Sequence, residues 1–135
     1  MWNRESLIWA AGILEGEGSF SVGNKTHLGV NGYPEGKKYP NIKIRCSMTD
    51  EDIITHLKEA LIFGSVTGPY QRNPLHKPLW RYACYKKSQV FALGVALYPW
   101  MGERRKAQIR KQIEVFRIMP GSGNYYQKGA EEYAR

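Results

Sequence analysis

Residues Leu7-Ile8-Trp9-Ala10-Ala11-Gly12-Ile13-Leu14 are apolar on nearly every helical face, and within a few residues the chain switches to the alternating Ser19-Phe20-Ser21-Val22. A helical period followed at once by a period of two specifies a helix feeding directly into a strand. Gly16 and Gly18 mark the switch, and Asn3 or Ser6 can cap the helix at its start. A helix apolar all round is expected to be buried all round. In the strand, Phe20 and Val22 point inward while Ser19, Ser21, Gly23, Lys25 and His27 face the other way.

The stretch Gly29 to Tyr39 has turn chemistry and predicts a hairpin loop, because Gly29, Gly32, Pro34 and Gly36 stand beside Lys37 and Lys38. A second strand follows over 41–48, with Ile42, Ile44, Cys46 and Met48 on one face and Asn41, Lys43, Arg45 and Ser47 on the other. Thr49 with Asp52 three residues on reads as a capping-box start, and Ile53, Ile54, Leu57 and Leu61 form the stripe of the helix that Gly64 stops. Ser65 to Arg72 and Leu79 to Tyr85 read as two further strands. Ser88 opens a helix closed by Pro99, and a last helix runs from about Glu103 through Met119 with Ile109, Ile113 and Phe116 on one stripe. The αββ unit thus occurs twice, giving an α+β domain over 1–119. The tail 120–135 carries no apolar periodicity.

A chain of 135 residues is one domain by length. Its 20 Lys and Arg against 12 Asp and Glu give a net charge of +8, which suits a polyanionic partner. Cys46 and Cys84 form no CxxC pair and no zinc-type cluster with histidine, so a reducing, intracellular setting is expected. The apolar run from Leu7 to Leu14 is too short to span a membrane and lacks the flanks of a secretion signal. His27, His56 and His76 fit neither an HNH nor an HExxH arrangement.

Two features of the first helix run against folding alone. Gly12 and Gly16 each cost about 1 kcal/mol relative to alanine in a helix interior, which makes sense if a second helix packs closely against them. Glu15 and Glu17 stand at the helix C-terminus, where the macrodipole disfavours each carboxylate by roughly 0.3–1 kcal/mol. A bound cation would remove that conflict. Local rules that fail together mark candidate functional sites.

The segment Ala10-Ala11-Gly12-Ile13-Leu14-Glu15-Gly16-Glu17-Gly18 resembles the motif of the LAGLIDADG homing endonucleases. Alanine stands where that family usually has leucine at the first position, and glutamate replaces aspartate at both acidic positions. The resemblance extends over nearly the whole chain. It includes Met48-Thr49-Asp50, the run from Phe63 to Tyr70 and the run Pro99-Trp100-Met101-Gly102-Glu103-Arg104-Arg105-Lys106.

The resemblance implies an αββαββα unit whose curved four-stranded antiparallel sheet forms half of a DNA-binding saddle. It further implies a homodimer, since one chain carries one motif, and a near-palindromic double-stranded DNA target. Glu17 matches the metal-binding carboxylate and Gly16 would add a backbone carbonyl. Ala11, Gly12, Glu15 and Gly16 would lie at the dimer interface. The metal would be Mg²⁺, with Mn²⁺ or Ca²⁺ able to occupy the same site. A basic group from the start of the last helix would assist catalysis, Arg104 first, then Lys106 or Arg105, with Ser47 helping to order water. Base reading would fall to Ser19, Ser21, Lys25, His27, Asn41, Lys43, Arg45, Arg72 and Arg81, and phosphate contact to Lys37, Lys38, Lys86 and Lys87. The alternative is a non-cutting nucleic-acid-binding protein of the same fold, an intron maturase or a regulator.

Overall fold

The computed structural model describes residues 1–26 and 38–119. Residues 27–37 and 120–135, and the side chains of residues 25, 26, 38 and 39, lie outside the described residues; Lys25, His27, Lys37, Lys38, most of the hairpin loop and the C-terminal tail are among them.

The element order is α1 (Arg4–Glu17), β1 (Gly18–Thr26), β2 (Lys38–Met48), α2 (Glu51–Leu61), β3 (Ser65–Tyr70), β4 (Leu79–Cys84), α3 (Lys87–Leu97), a 3₁₀ turn (Tyr98–Trp100) and α4 (Glu103–Arg117). The strands make one antiparallel sheet in the order β1-β2-β4-β3, so the two αββ units meet where β2 pairs with β4. The expected α+β class and element order are those observed.

The helices cover one face of the sheet. Phe20, Ile42, Ile44, Cys46, Tyr82 and Cys84 point into that layer and share one apolar cluster with Leu7, Leu14, Ile54, Leu57, Leu93, Ile109 and Phe116. Burying side chains of this size contributes roughly 1.5–3 kcal/mol each. Val22, expected to point inward, is 38% exposed, whereas Phe20 on the same strand is buried. Gln112 of α4 is drawn inside, 2% exposed. Its amide donates to the carbonyls of Ser21 (3.0 Å) and Lys43 (2.8 Å), which fastens α4 onto the paired strands β1 and β2. No described helix is long and apolar enough to cross a membrane.

Several boundaries differ from the sequence reading. Asn3 caps α1, its side chain accepting from the Ser6 amide at 3.0 Å. Asp50 rather than Thr49 caps α2, accepting from the Ile53 amide at 3.3 Å, because a helix start needs its acceptor three residues before the donor it serves. Ser88 is buried inside α3 and caps nothing. β3 ends at Tyr70, two residues short of the expected Arg72, and β4 at Cys84, one short of Tyr85, so Arg72 lies in the connecting loop and not on a strand. α1 is not buried all round: Leu7, Ala10, Ala11 and Leu14 face the core, while Gly12 and Gly16 are exposed, with nothing among the described residues within 4 Å of where a Cβ would stand, their own helix backbone aside.

After α2 the chain turns through Ile62 at φ 70° and Gly64 at φ 99°. At Gly64 an added Cβ would stand 2.5 Å from the Tyr82 ring, whose hydroxyl donates to the Phe63 carbonyl at 2.8 Å. Gly64→Ala therefore meets both an unfavourable backbone conformation and a buried ring that cannot retreat. It is expected to lower the unfolding free energy by about 1–3 kcal/mol, read as a fall in the denaturation midpoint.

Candidate nucleic-acid interface and acidic site

The face of the sheet away from the helices carries the alternate residues of each strand. On β1 and β2 these are Ser19 opposite Arg45, Ser21 opposite Lys43 and Gly23 opposite Asn41. On β2, β4 and β3 the row Ser47–Arg81–Thr67 runs across three strands, and Arg45 pairs with Ala83, which pairs with Ser65. None of the four strands contains Asp or Glu. Lys43, Arg45 and Arg81 therefore make a positive field with no acid beside them in the sheet, and such a field draws polyanions.

Arginines on this face are held by neighbours. Arg81 donates through Nε toward Ser47 Oγ at 3.4 Å, and its guanidinium stands 5.0 Å from the Tyr70 ring centroid. Arg45 donates through Nε and Nη2 to the hydroxyl of Tyr85. Neither tyrosine stood out in the sequence, although Tyr85 continues the outward parity of β4 and that parity was the available signal. Arg72 and Arg81, with Tyr70, Gln71, His76 and Lys77, also line a cavity of about 550 Å³ at the β3–β4 turn.

At one end of this face α1 runs into β1. Gly18 ends the helix with extended backbone, its N–H donating to the Leu14 carbonyl, and a Cβ there would collide with Leu14. The direct passage from helix to strand therefore requires glycine. It leaves Glu17, the last residue of α1, exposed beside the start of the β1–β2 ladder, where Gly18 pairs with Cys46. Burial, and then the nearby Glu17 carboxylate, push the Cys46 thiol up to about 11, so it stays neutral and apolar beneath the site. Ser47 follows Cys46 and reaches the outer face on the same side.

Glu15 is placed quite differently from Glu17. Its Oε1 accepts from the Gly102 N–H at 3.1 Å, at the N-terminus of α4, where no side chain of α4's own cap residue serves. Arg105 Nε donates to the Glu15 backbone carbonyl at 3.2 Å and lies 3.9 Å from Oε2, which is buried without a hydrogen-bond partner. The charge that the C-terminal dipole of α1 disfavours is thus offset by the positive end of α4 and by a guanidinium. No cation is needed to explain Glu15.

The basic cluster at the start of α4 separates in space. Arg105 is buried between Glu15 and Gln108, while Arg104 is exposed. Lys106 lies 3.8 Å from Glu103 and 5.3 Å from the Tyr98 ring centroid. Of the three, Arg105 is the one that touches the acidic end of α1. Ala11, expected at a dimer interface, is only 1% exposed within the chain's own core, because its position on the helix faces inward. The open face of α1 is instead formed by Gly12 and Gly16, flanked by the half-buried Ile8 and Ile13.

No family model and no curated protein sequence matches the chain. Solved structures do. One is I-CvuI in complex with its target in the presence of Ca, with a TM-score of 0.68, 14% identity, and coverage of 96% of this chain and 80% of that one. Another is I-TnaI, at 0.59 and 16% identity, covering 96% and 97%. A third is I-SmaMI bound to uncleavable DNA, at 0.64 and 16% identity, covering 94% of this chain and 42% of that one. The fold is that of the homing endonucleases.

Among the described residues no three His, Cys, Asp or Glu side chains gather closely enough to hold an ion. What the end of α1 offers is an exposed carboxylate on Glu17 and the backbone carbonyl of exposed Gly16. These are hard oxygen donors of the kind Mg²⁺ or Ca²⁺ takes, but they are too few alone. The remainder would have to come from water, phosphate oxygens or another chain.

The tie between α1 and α4 can be tested apart from any activity. Arg105→Met keeps most of the buried stem but removes the donor to the Glu15 carbonyl. The expected loss is about 1.5–3 kcal/mol of unfolding free energy, measured by chemical denaturation.

Proposed function

We propose that the chain is a site-specific DNA endonuclease of the LAGLIDADG type, metal-dependent and active as a homodimer on a near-palindromic double-stranded target. The observation that carries this reading is the exposed Glu17 at the end of α1. There an open glycine face of the helix adjoins an acid-free, basic strand surface in a homing-endonuclease fold.

The mechanism follows from placement. Two copies pack α1 against α1 through Gly12 and Gly16, where the missing side chains let the backbones come into close contact. Each copy then sets one Glu17 carboxylate, with the Gly16 carbonyl behind it, between the two sheets. Lys43, Arg45 and Arg81 face the duplex with Ser19, Ser21 and Asn41 between them, and a strand surface of this kind enters the major groove. Glu17 and the Gly16 carbonyl would hold a divalent metal, which would supply activation of the attacking water and stabilisation of the leaving oxygen. Ser47 and the Arg81 guanidinium hydrogen-bonded to it stand on the same side of the sheet, suited to orienting water and phosphate. Arg105 acts through Glu15, holding the end of α1 in place, whereas exposed Arg104 is free to meet phosphate.

I-SmaMI accommodates this chain in 42% of its own length, which supports taking one copy as half of the working unit. Several of the similar structures are DNA complexes, and I-CvuI was solved in the presence of Ca in one and of Mg in another, which supports both partner and metal. An intracellular setting accords with the two free, buried thiols.

Incubating the protein with a randomised duplex library, with and without Mg²⁺, is expected to show metal-dependent cutting at a near-palindrome. Glu17→Gln should reduce that rate by roughly three orders of magnitude, as expected when several kcal/mol of transition-state stabilisation is removed. Binding without cutting by the unmodified chain would replace this reading with that of a maturase or regulator. In sedimentation, the unmodified chain is expected at twice its 15.5 kDa mass. Gly12→Leu, whose Cβ would enter open space among the described residues, should run as a folded monomer.

A further inference from the structure

Tyr85 follows the last residue of β4 and continues its alternation, so it stands on the outward face, 52% exposed. Its hydroxyl accepts two hydrogen bonds from Arg45, from Nε at 3.1 Å and from Nη2 at 2.9 Å. Those two N–H groups form one edge of the guanidinium plane. A guanidinium carries five N–H donors in a fixed fork, so the second edge, made by Nη1 and the other Nη2 hydrogen, keeps two parallel donors.

Among the described residues no acid pairs with that second edge. None of the salt bridges among the described residues involves Arg45, and its cross-strand neighbours Ser19 and Ala83 are small and uncharged. Arg45 is half-buried and lies on the outward face, where its side chain is held at one edge by a phenol. Arg81 lacks this two-point hold, with a single longer bond to Ser47 and a stacking contact on Tyr70.

Two parallel donors match guanine, which presents O6 and N7 as neighbouring acceptors in the major groove. Adenine offers one acceptor beside a donor, and the pyrimidines offer no such pair. Holding the guanidinium before DNA arrives removes part of the ordering cost that a free arginine would meet on docking. We infer that Arg45 reads a guanine in each half-site and that Tyr85 is the positioning residue that aims it. The inference rests on the DNA-binding reading given above.

The test uses the full chain and a randomised duplex library recovered by binding rather than cutting, sequenced for the unmodified chain, Arg45→Lys and Tyr85→Phe. The unmodified chain is expected to enrich guanine at one position of each half-site. Arg45→Lys should lose that preference, since an ammonium cannot present the paired donors. Tyr85→Phe keeps the ring but not the acceptor, and should weaken the preference roughly tenfold at that position alone. Its melting temperature and the salt dependence of binding should stay as in the unmodified chain, because no phosphate contact is lost. A guanine preference unchanged in Tyr85→Phe, or an equal loss at every position, overturns the inference and leaves the endonuclease reading standing. An unmodified chain that enriches no duplex overturns both.

Discussion

Glu15 joins two helices that are far apart in sequence, and the position of the candidate site depends on that joint. Its carboxylate receives the Gly102 amide at the start of α4, and Arg105 reaches back to its carbonyl. α4 is in turn fastened to β1 and β2 through Gln112. The end of α1, the strand that leaves it and the helix lying across that strand are therefore one connected body. Glu17, two residues beyond the joint, is exposed but not loosely placed. The cost of an acid at a helix C-terminus is offset at Glu15 by the opposite end of another helix, and at Glu17 it remains for solvent or a cation.

A division of labour in the sheet follows from the same arrangement. The inward residues of β2 and β4 close the core, and that burial leaves the outward residues free of any packing duty. Lys43, Arg45 and Arg81 can then be basic, and no strand needs an acid to balance them. Tyrosines lie beside two of the three, Tyr85 accepting from Arg45 and Tyr70 lying near the Arg81 guanidinium. A cation beside a phenol or an aromatic ring is steadied without being neutralised, so the positive field of the face survives.

Much of this was legible residue by residue. The alternation in Ile42-Lys43-Ile44-Arg45-Cys46 told inward from outward positions on β2, because side chains on a strand have no third direction to take. Gly16 and Gly18 located the helix-to-strand passage, and the steric contact of Gly18 with Leu14 shows why glycine is required there. Sequence alone did not separate residues of similar chemistry that stand side by side. Thr49 and Asp50 can both cap a helix, and only the path of the chain put the Asp50 oxygen within reach of Ile53. Arg104, Arg105 and Lys106 share a charge, and helical rotation sent one inward, left one exposed and laid one over Tyr98.

The sequence by itself determined the order of helices and strands, the inward and outward faces of β2, the two glycines of α1 and the pair of acids after them. Those properties are periodic or local, and the backbone reads them without reference to distant residues. The tertiary structure alone decided that the two acids have different surroundings, that Ala11 faces the core while Gly12 and Gly16 face outward, and that Tyr85 holds Arg45. Each of these depends on contacts between residues far apart in the chain, or on which side of a helix the core happens to lie. Periodicity says that a face exists, but only packing says what it meets.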